Sequence, residues 1–309
     1  MESPPPPRVD QVLAMVVEII VYCVHFSVIV VIVAHRKTVF NSAFYFILLT
    51  VCIADLLYFI FVTLLAIRFP SYGFFLQFYL DNMWMSSASH TLSNVLGYMQ
   101  FIGQSLIAIN RFTVFWVPAK HENIWKRRWY WPILIGLPLL VIPTRIPDGG
   151  KITFSKNGVV LTYASVDMEN LTVITTSIVL IVNGILTAVL SILTVFKCWQ
   201  LRLNGNVLAI PQIEERMLIF SIVIFCIQML RLVYTVLRNR FIAYPNAVAL
   251  LLYLLPFISD LHAWVCSISL VFMSQASRKA YFQFYFGNVN LRKPQVSVFT
   301  GFAHNQRGP

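Results

Sequence analysis

The sequence predicts an all-α bundle of seven transmembrane helices, with the N-terminus outside and the C-terminus in the cytoplasm. Three observations carry that reading. Of 309 residues, 58% are hydrophobic and 11% charged, whereas a soluble domain is about 25% charged. Too few polar residues remain to cover a surface facing water. Apolar stretches recur seven times, each near the roughly 20 residues that cross a bilayer. The basic residues fall in the gaps between them, fifteen in the cytoplasmic segments of this topology and seven outside, which is the bias that sets orientation. The formal net charge of +11 is thus a topology signal and does not mark a nucleic-acid surface.

Residues 1–11 form an outside tail stiffened by Pro4–Pro7. The apolar run that follows is longer than the roughly 7–15 residues of a signal-peptide core, so it reads as the first span. The spans are Val12–Ala34, Ala43–Ile67, Trp84–Asn110, Tyr130–Pro147, Leu171–Phe196, Met217–Leu237 and Ala247–Met273, and together they make one transmembrane domain over residues 12–273. The fourth carries Pro132, Pro138, Pro143 and Pro147. Pro132 suits a first turn, while Pro138 and Pro143 should kink the helix. Residues 274–309 are cytoplasmic. Within them Ser277–Phe286 is basic and then aromatic, which predicts a short amphipathic helix on the inner leaflet, with Tyr281, Phe282, Tyr285 and Phe286 in the headgroup layer.

None of the five cysteines falls in an outside loop, so no extracellular disulfide is expected. Asn170-Leu171-Thr172 is an N-glycosylation acceptor pattern in the second outside loop.

Ionisable side chains inside a span are costly and mark function by default. Asp55 lies near the middle of span two and Asp260 near the middle of span seven. Gln100 lies eleven residues before Arg111, about 16 Å from the inner end of span three at 1.5 Å per residue. The three share a level. They read either as a buried polar switch that takes up water, a proton or a sodium ion, or as a static network holding the bundle together. Span three is the most polar and should be central, since lipid does not satisfy such groups. Its outer half, with Trp84, His90 and Asn94, is a candidate ligand wall. Arg231 of span six either snorkels to the outer interface or points inward toward an acidic ligand or loop acid, with Gln228, Tyr234 and Tyr253 beside it. Glu18 reads as interfacial. Asn110, Arg111 and Phe112 end span three on the cytoplasmic side.

No catalytic constellation is visible. His-Glu-x-x-His, Gly-x-Ser-x-Gly and phosphate-binding glycine loops are absent from the sequence. No metal-ligand spacing or cofactor motif is present. Span seven has no lysine, which excludes a retinal Schiff base there. The chain does not read as an enzyme.

Seven spans, an Asp in span two and an Arg at the inner end of span three resemble a G-protein-coupled receptor. The sequence IADLL around Asp55 is similar to the span-two pattern of rhodopsin-like receptors, and Asn110-Arg111-Phe112 to their Asp-Arg-Tyr. More closely, FNSAFYFILLTVCIADLL, AINRFTVFWVPAKHENIW and Ser259-Asp260 together resemble the nematode serpentine chemoreceptors of the class g superfamily, most nearly class v, over residues 40–287. The resemblance implies a chemosensory receptor in the plasma membrane of sensory neurons. An external small molecule would bind among the outer halves of spans three, five, six and seven. Asn110, Arg111, Phe112 and the inner loops would couple to a heterotrimeric G protein. Several rhodopsin-like features are missing: the cysteines joining span three to the second outside loop, Cys-Trp-x-Pro in span six and Asn-Pro-x-x-Tyr in span seven. The competing class is a ligand-gated channel or transporter, toward which the proline-rich fourth span is the one hint.

Overall fold

Apolar content decides most of the helices, and prolines decide where they break. The computed structural model describes residues 9–72, 74–145, 150–155, 158–162, 164–203, 212–241 and 244, together with 251, 254, 257–258, 260–265, 267, 270–271 and 275–287. Helix α1 (Val9–Ala34) covers the first predicted span. Helix α2 (Ala43–Leu57) starts after Ser42 and passes without a break into a π-helical stretch, Tyr58–Arg68. Two short helices follow outside it, α3 (Phe69–Ser71) and α4 (Leu76–Asp81).

Helix α5 (Trp84–Trp116) is 33 residues long and runs past the predicted end of span three. It packs against α2, the π-helical stretch, α9 (Val166–Leu203) and α10 (Gln212–Arg240), the central position its polar content required. Helix α6 (Pro118–Lys126) follows directly, with proline in its first turn, where the missing N–H is not needed. The fourth span is broken into a π-helical turn, Pro132–Gly136, and two short helices, α7 (Leu137–Leu139) and α8 (Ile142–Arg145). Pro138 and Pro143 each remove a helix donor there.

Between α8 and α9, in a chain otherwise helical among the described residues, lies a strand pair that the sequence reading did not include. Strands β1 (Lys151–Ser155) and β2 (Gly158–Thr162) form an antiparallel hairpin with Ser155 opposite Gly158. The sequence carries a cause, since Ile152-Thr153-Phe154 and Val159-Val160-Leu161 are rich in β-branched and aromatic residues of high strand propensity. The strand pair begins at Gly150, with φ +66°, where a Cβ would lie 2.7 Å from the Ser87 backbone nitrogen. The hairpin therefore seats on the N-terminal end of α5.

Among the described residues three helices are long and apolar enough to cross a membrane, Val12–Ala34, Ala43–Arg68 and Val166–Leu201, with shorter apolar helices at Pro132–Arg145 and Ile222–Leu237. Their exposed faces are apolar and their polar groups point inward, the pattern lipid imposes. On α9, Thr172, Leu180, Thr187 and Thr194 are buried in a seam facing the bundle, while Ile178, Val182, Ile185 and Ile192 are exposed. The apolar core runs through Ile47, Leu48, Phe101, Leu106, Leu134 and Leu270.

The last helix, α11 (Gln275–Phe286), packs against α1. The Tyr281 hydroxyl lies 2.8 Å from Ser27 Oγ, and the Tyr285 hydroxyl donates to the Ser27 carbonyl at 3.3 Å. Of the four aromatics placed together in the headgroup layer, the two tyrosines bond to α1, while Phe282, Tyr285 and Phe286 are all exposed.

Candidate functional site

Most buried ionisable groups among the described residues collect in three places; Arg145 stands apart, bonded to the Met168 carbonyl and the Thr175 hydroxyl. The first lies between α1, α2, α5 and the helical residues 260–265 and 267. His25 donates through Nε2 to the Cys52 carbonyl at 2.8 Å, and its Nδ1 meets the Ser267 hydroxyl. Nearby, the Tyr22 hydroxyl donates to Asp260 Oδ1 at 3.3 Å and its ring stacks on Phe59. His262 is a hub: its Nδ1 lies 3.3 Å from Asp55 Oδ1, and its Nε2 meets the Gln104 amide. Glu18 forms an ion pair with Arg68. Both of these also act electrostatically on Asp260.

The second place is the facing pair of α5 and α10. Arg231 Nη1 donates to Gln100 Oε1 at 2.5 Å, and the guanidinium sits 4.9 Å from the Phe101 ring centroid. Gln228, Arg231 and Tyr234 are buried at intervals of three along α10, whereas Leu230, Val233 and Val236 are exposed. That phase selects the inward orientation of Arg231 over snorkelling.

The third is the C-terminal end of α5. Asn110 and Arg111 are buried, and the Arg111 guanidinium lies 3.9 Å from the Phe44 ring centroid. Phe112 stacks on Trp116 with ring centroids 5.5 Å apart. Thr113 ties the following loop back: its hydroxyl lies 3.0 Å from His121 Nδ1 and accepts from Trp125 Nε1 at 2.9 Å. Helix α6 is thereby held against the end of span three.

A family model described as Srg family chemoreceptor matches residues 12–281. The chain belongs to this family. It is a serpentine chemoreceptor, a transmembrane protein of a receptor family. The match is to the Srg family and does not bear on the likeness to class v. A search among curated proteins found no match.

In this Srg-family receptor the level shared by Asp55, Gln100 and Asp260 does not put them in one bonded cluster. Among the described residues each bonds elsewhere: Asp55 faces His262, Gln100 meets Arg231, and Asp260 meets Tyr22. Depth along a helix is readable from residue count, but rotation about its axis decides contact. No group of three or more His, Cys, Asp or Glu is placed to hold a metal ion among the described residues. Glu18, read as interfacial, is buried against Arg68.

The candidate ligand wall is divided too. Trp84 is exposed and donates to Asn82 Oδ1 at 3.2 Å. It borders an apolar cavity of about 190 Å³ with Phe61, Leu65, Tyr79, Met85 and Leu92. Asn94 turns back on its own helix and donates to the His90 carbonyl at 3.0 Å. Tyr253 and Ser259 lie outside the described residues. Asn170 is exposed in the first turn of α9.

Sequence reasoning gave no role to Tyr22, His25, Gln104, His262 or the Glu18–Arg68 pair. Span seven held a signal: Asp260 and His262 stand two apart on a helix, pointing to different sides, and both are buried. A helix polar on two sides is enclosed by others.

Proposed function

We propose that this Srg-family chemoreceptor is a seven-span, N-outside receptor of the plasma membrane of sensory neurons. An external small molecule binds between its helices and activates a heterotrimeric G protein. Membership of the family over residues 12–281 is the observation that carries the reading. The buried polar contacts between spans support it. A ligand shifts the receptor between states only through its differential affinity for them. Groups such as Asp55, His262, Gln104, Asp260 and Tyr22 have partners on different helices, so moving one helix exchanges bonds with the others. This gives two discrete arrangements at a defined cost. At the inner face, Asn110, Arg111 and Phe112 and the docked α6 form the proposed G-protein contact.

The test is a second-messenger response in cells carrying the receptor with a tagged outer N-terminus. A panel of volatile and water-soluble small molecules is applied to the receptor and to Arg111→Ala. The expected outcome is a ligand-dependent response that falls at least about tenfold in the variant at equal surface level. A ligand-gated current that persists in Arg111→Ala without a G protein would place the chain among channels instead.

A further inference from the structure

The polar stripe on α10 says what chemistry a ligand brings. Arg231 is 9% exposed and sits nine residues below the outer end of α10, Arg240, about 14 Å at 1.5 Å per residue. A guanidinium that deep in a span is stable only with a counter-charge or a full set of acceptors. Its observed partner is a neutral one, the Gln100 carbonyl at 2.5 Å. Among the described residues no carboxylate lies within ion-pair distance of Arg231. The three acids of the spans face other groups: Glu18 pairs with Arg68, Asp55 faces His262, and Asp260 accepts from Tyr22. Arg68 shows the contrast, an arginine of this fold supplied with its own acid.

A second observation is independent of the charge. Gln228, one helical turn from Arg231 on the same buried face, has 0% exposure. Neither its amide oxygen nor its nitrogen has a hydrogen-bond partner among the described residues. Buried amides are normally paired. A guanidinium carries five N–H donors, so Arg231 and Gln228 together present donors in excess of their acceptors.

We infer that Arg231, with Gln228 below it and Gln100 across from it, forms an anion subsite, and that the ligand of this receptor carries a carboxylate. This rests on the reading of the chain as a ligand-binding receptor. One cation flanked by neutral amides matches a single negative charge, and the planar fork of arginine matches a carboxylate edge to edge. A dianion such as a phosphate monoester would keep an unmatched charge in the bundle.

The test uses the purified full-length receptor. Hexanoate and benzoate are the probes, with their methyl esters and sodium chloride at equal ionic strength as controls, and thermal unfolding is the readout. The expected result is stabilisation by the carboxylates, with affinity about tenfold to a hundredfold above the esters and above chloride. Arg231→Gln should abolish it. Gln100→Glu tests the same point without removing the arginine: an internal carboxylate beside Arg231 should block the added acid while preserving or raising the unfolding temperature. Equal stabilisation by acid and ester, by chloride alone, or by none of them would overturn the subsite, as would an undiminished acid effect in Gln100→Glu. Each of these leaves the receptor reading standing on its own second-messenger test. Loss of that response with acid binding intact would sink the receptor reading and spare the subsite.

Discussion

Glu18 and Arg68 illustrate how a single side chain is committed in this protein. The Glu18 side chain is 3% exposed and that of Arg68 12%, so each charge has left most of its solvent. A buried pair is often no more stabilising than two apolar residues would be, yet breaking it by removing one partner costs about 3–5 kcal/mol, because the other charge stays buried alone. Arg68→Met should therefore destabilise the receptor by about that amount. Glu18→Gln keeps the shape and removes the charge, and should cost as much. The double variant should recover a large part of the loss. Thermal unfolding of the four proteins gives the coupling; additive losses would mean that the two groups do not sense each other. The pair was hidden in the sequence because 50 residues separate its members. Glu18 near one end of an apolar run also has a simpler reading at the interface. Arg231 shows the converse. Its type and depth were legible, but the choice between snorkelling and pointing inward required the phase of α10, which the neighbouring Gln228 and Tyr234 fix once their burial is known.

Among elements, α5 is the one on which the others pack, and its glycines separate two effects that share a residue type. A Cβ at Gly103 would collide with Val51 Cγ2 and lie 3.4 Å from Leu134 Cδ1. Val51 is β-branched and buried in α2, with little rotamer freedom to yield. A Cβ at Gly97 meets nothing within 4 Å. Gly103→Ala should thus overpack the α2–α5 contact and cost about 1–3 kcal/mol. Gly97→Ala should gain up to about 1 kcal/mol from helix propensity alone. Unfolding temperatures moving in the same direction for both would refute the assignment of Gly103 to the close contact. At this scale the sequence was most informative where local composition decides. Long apolar runs gave α1, α2 and α9, and Pro138 and Pro143 gave the broken fourth span. It was least informative where an element depends on a short turn signal in a segment taken as a connector. The hairpin of β1 and β2 was missed for that reason, although Ile152-Thr153-Phe154 and Val159-Val160-Leu161 have high strand propensity.

The whole molecule has a direction, and that direction is a claim about charge. Lys and Arg outside the apolar runs favour one side by fifteen to seven, and positive loops stay in the cytoplasm. The hairpin and α6 then lie on opposite sides of the bilayer. Lys151 opens β1 and is exposed, and Thr153 stands two residues on. Lys151→Asn therefore completes an N-glycosylation acceptor on the hairpin. Lys120 and Glu122 are exposed on α6, so Lys120→Asn with Glu122→Thr completes one there. Both are made in an Asn170→Gln background, which removes the native acceptor in the first turn of α9. Glycan addition requires the lumenal side during synthesis, so the hairpin acceptor should be modified and the α6 acceptor should not. The readout is a mobility shift that a deglycosidase reverses. Modification on α6 would invert the receptor. The anion subsite would then open toward the cytoplasm, and the proposed G-protein contact at Arg111 would face outside. Arg111 and Arg231 thus stand or fall together on the sidedness of two loops.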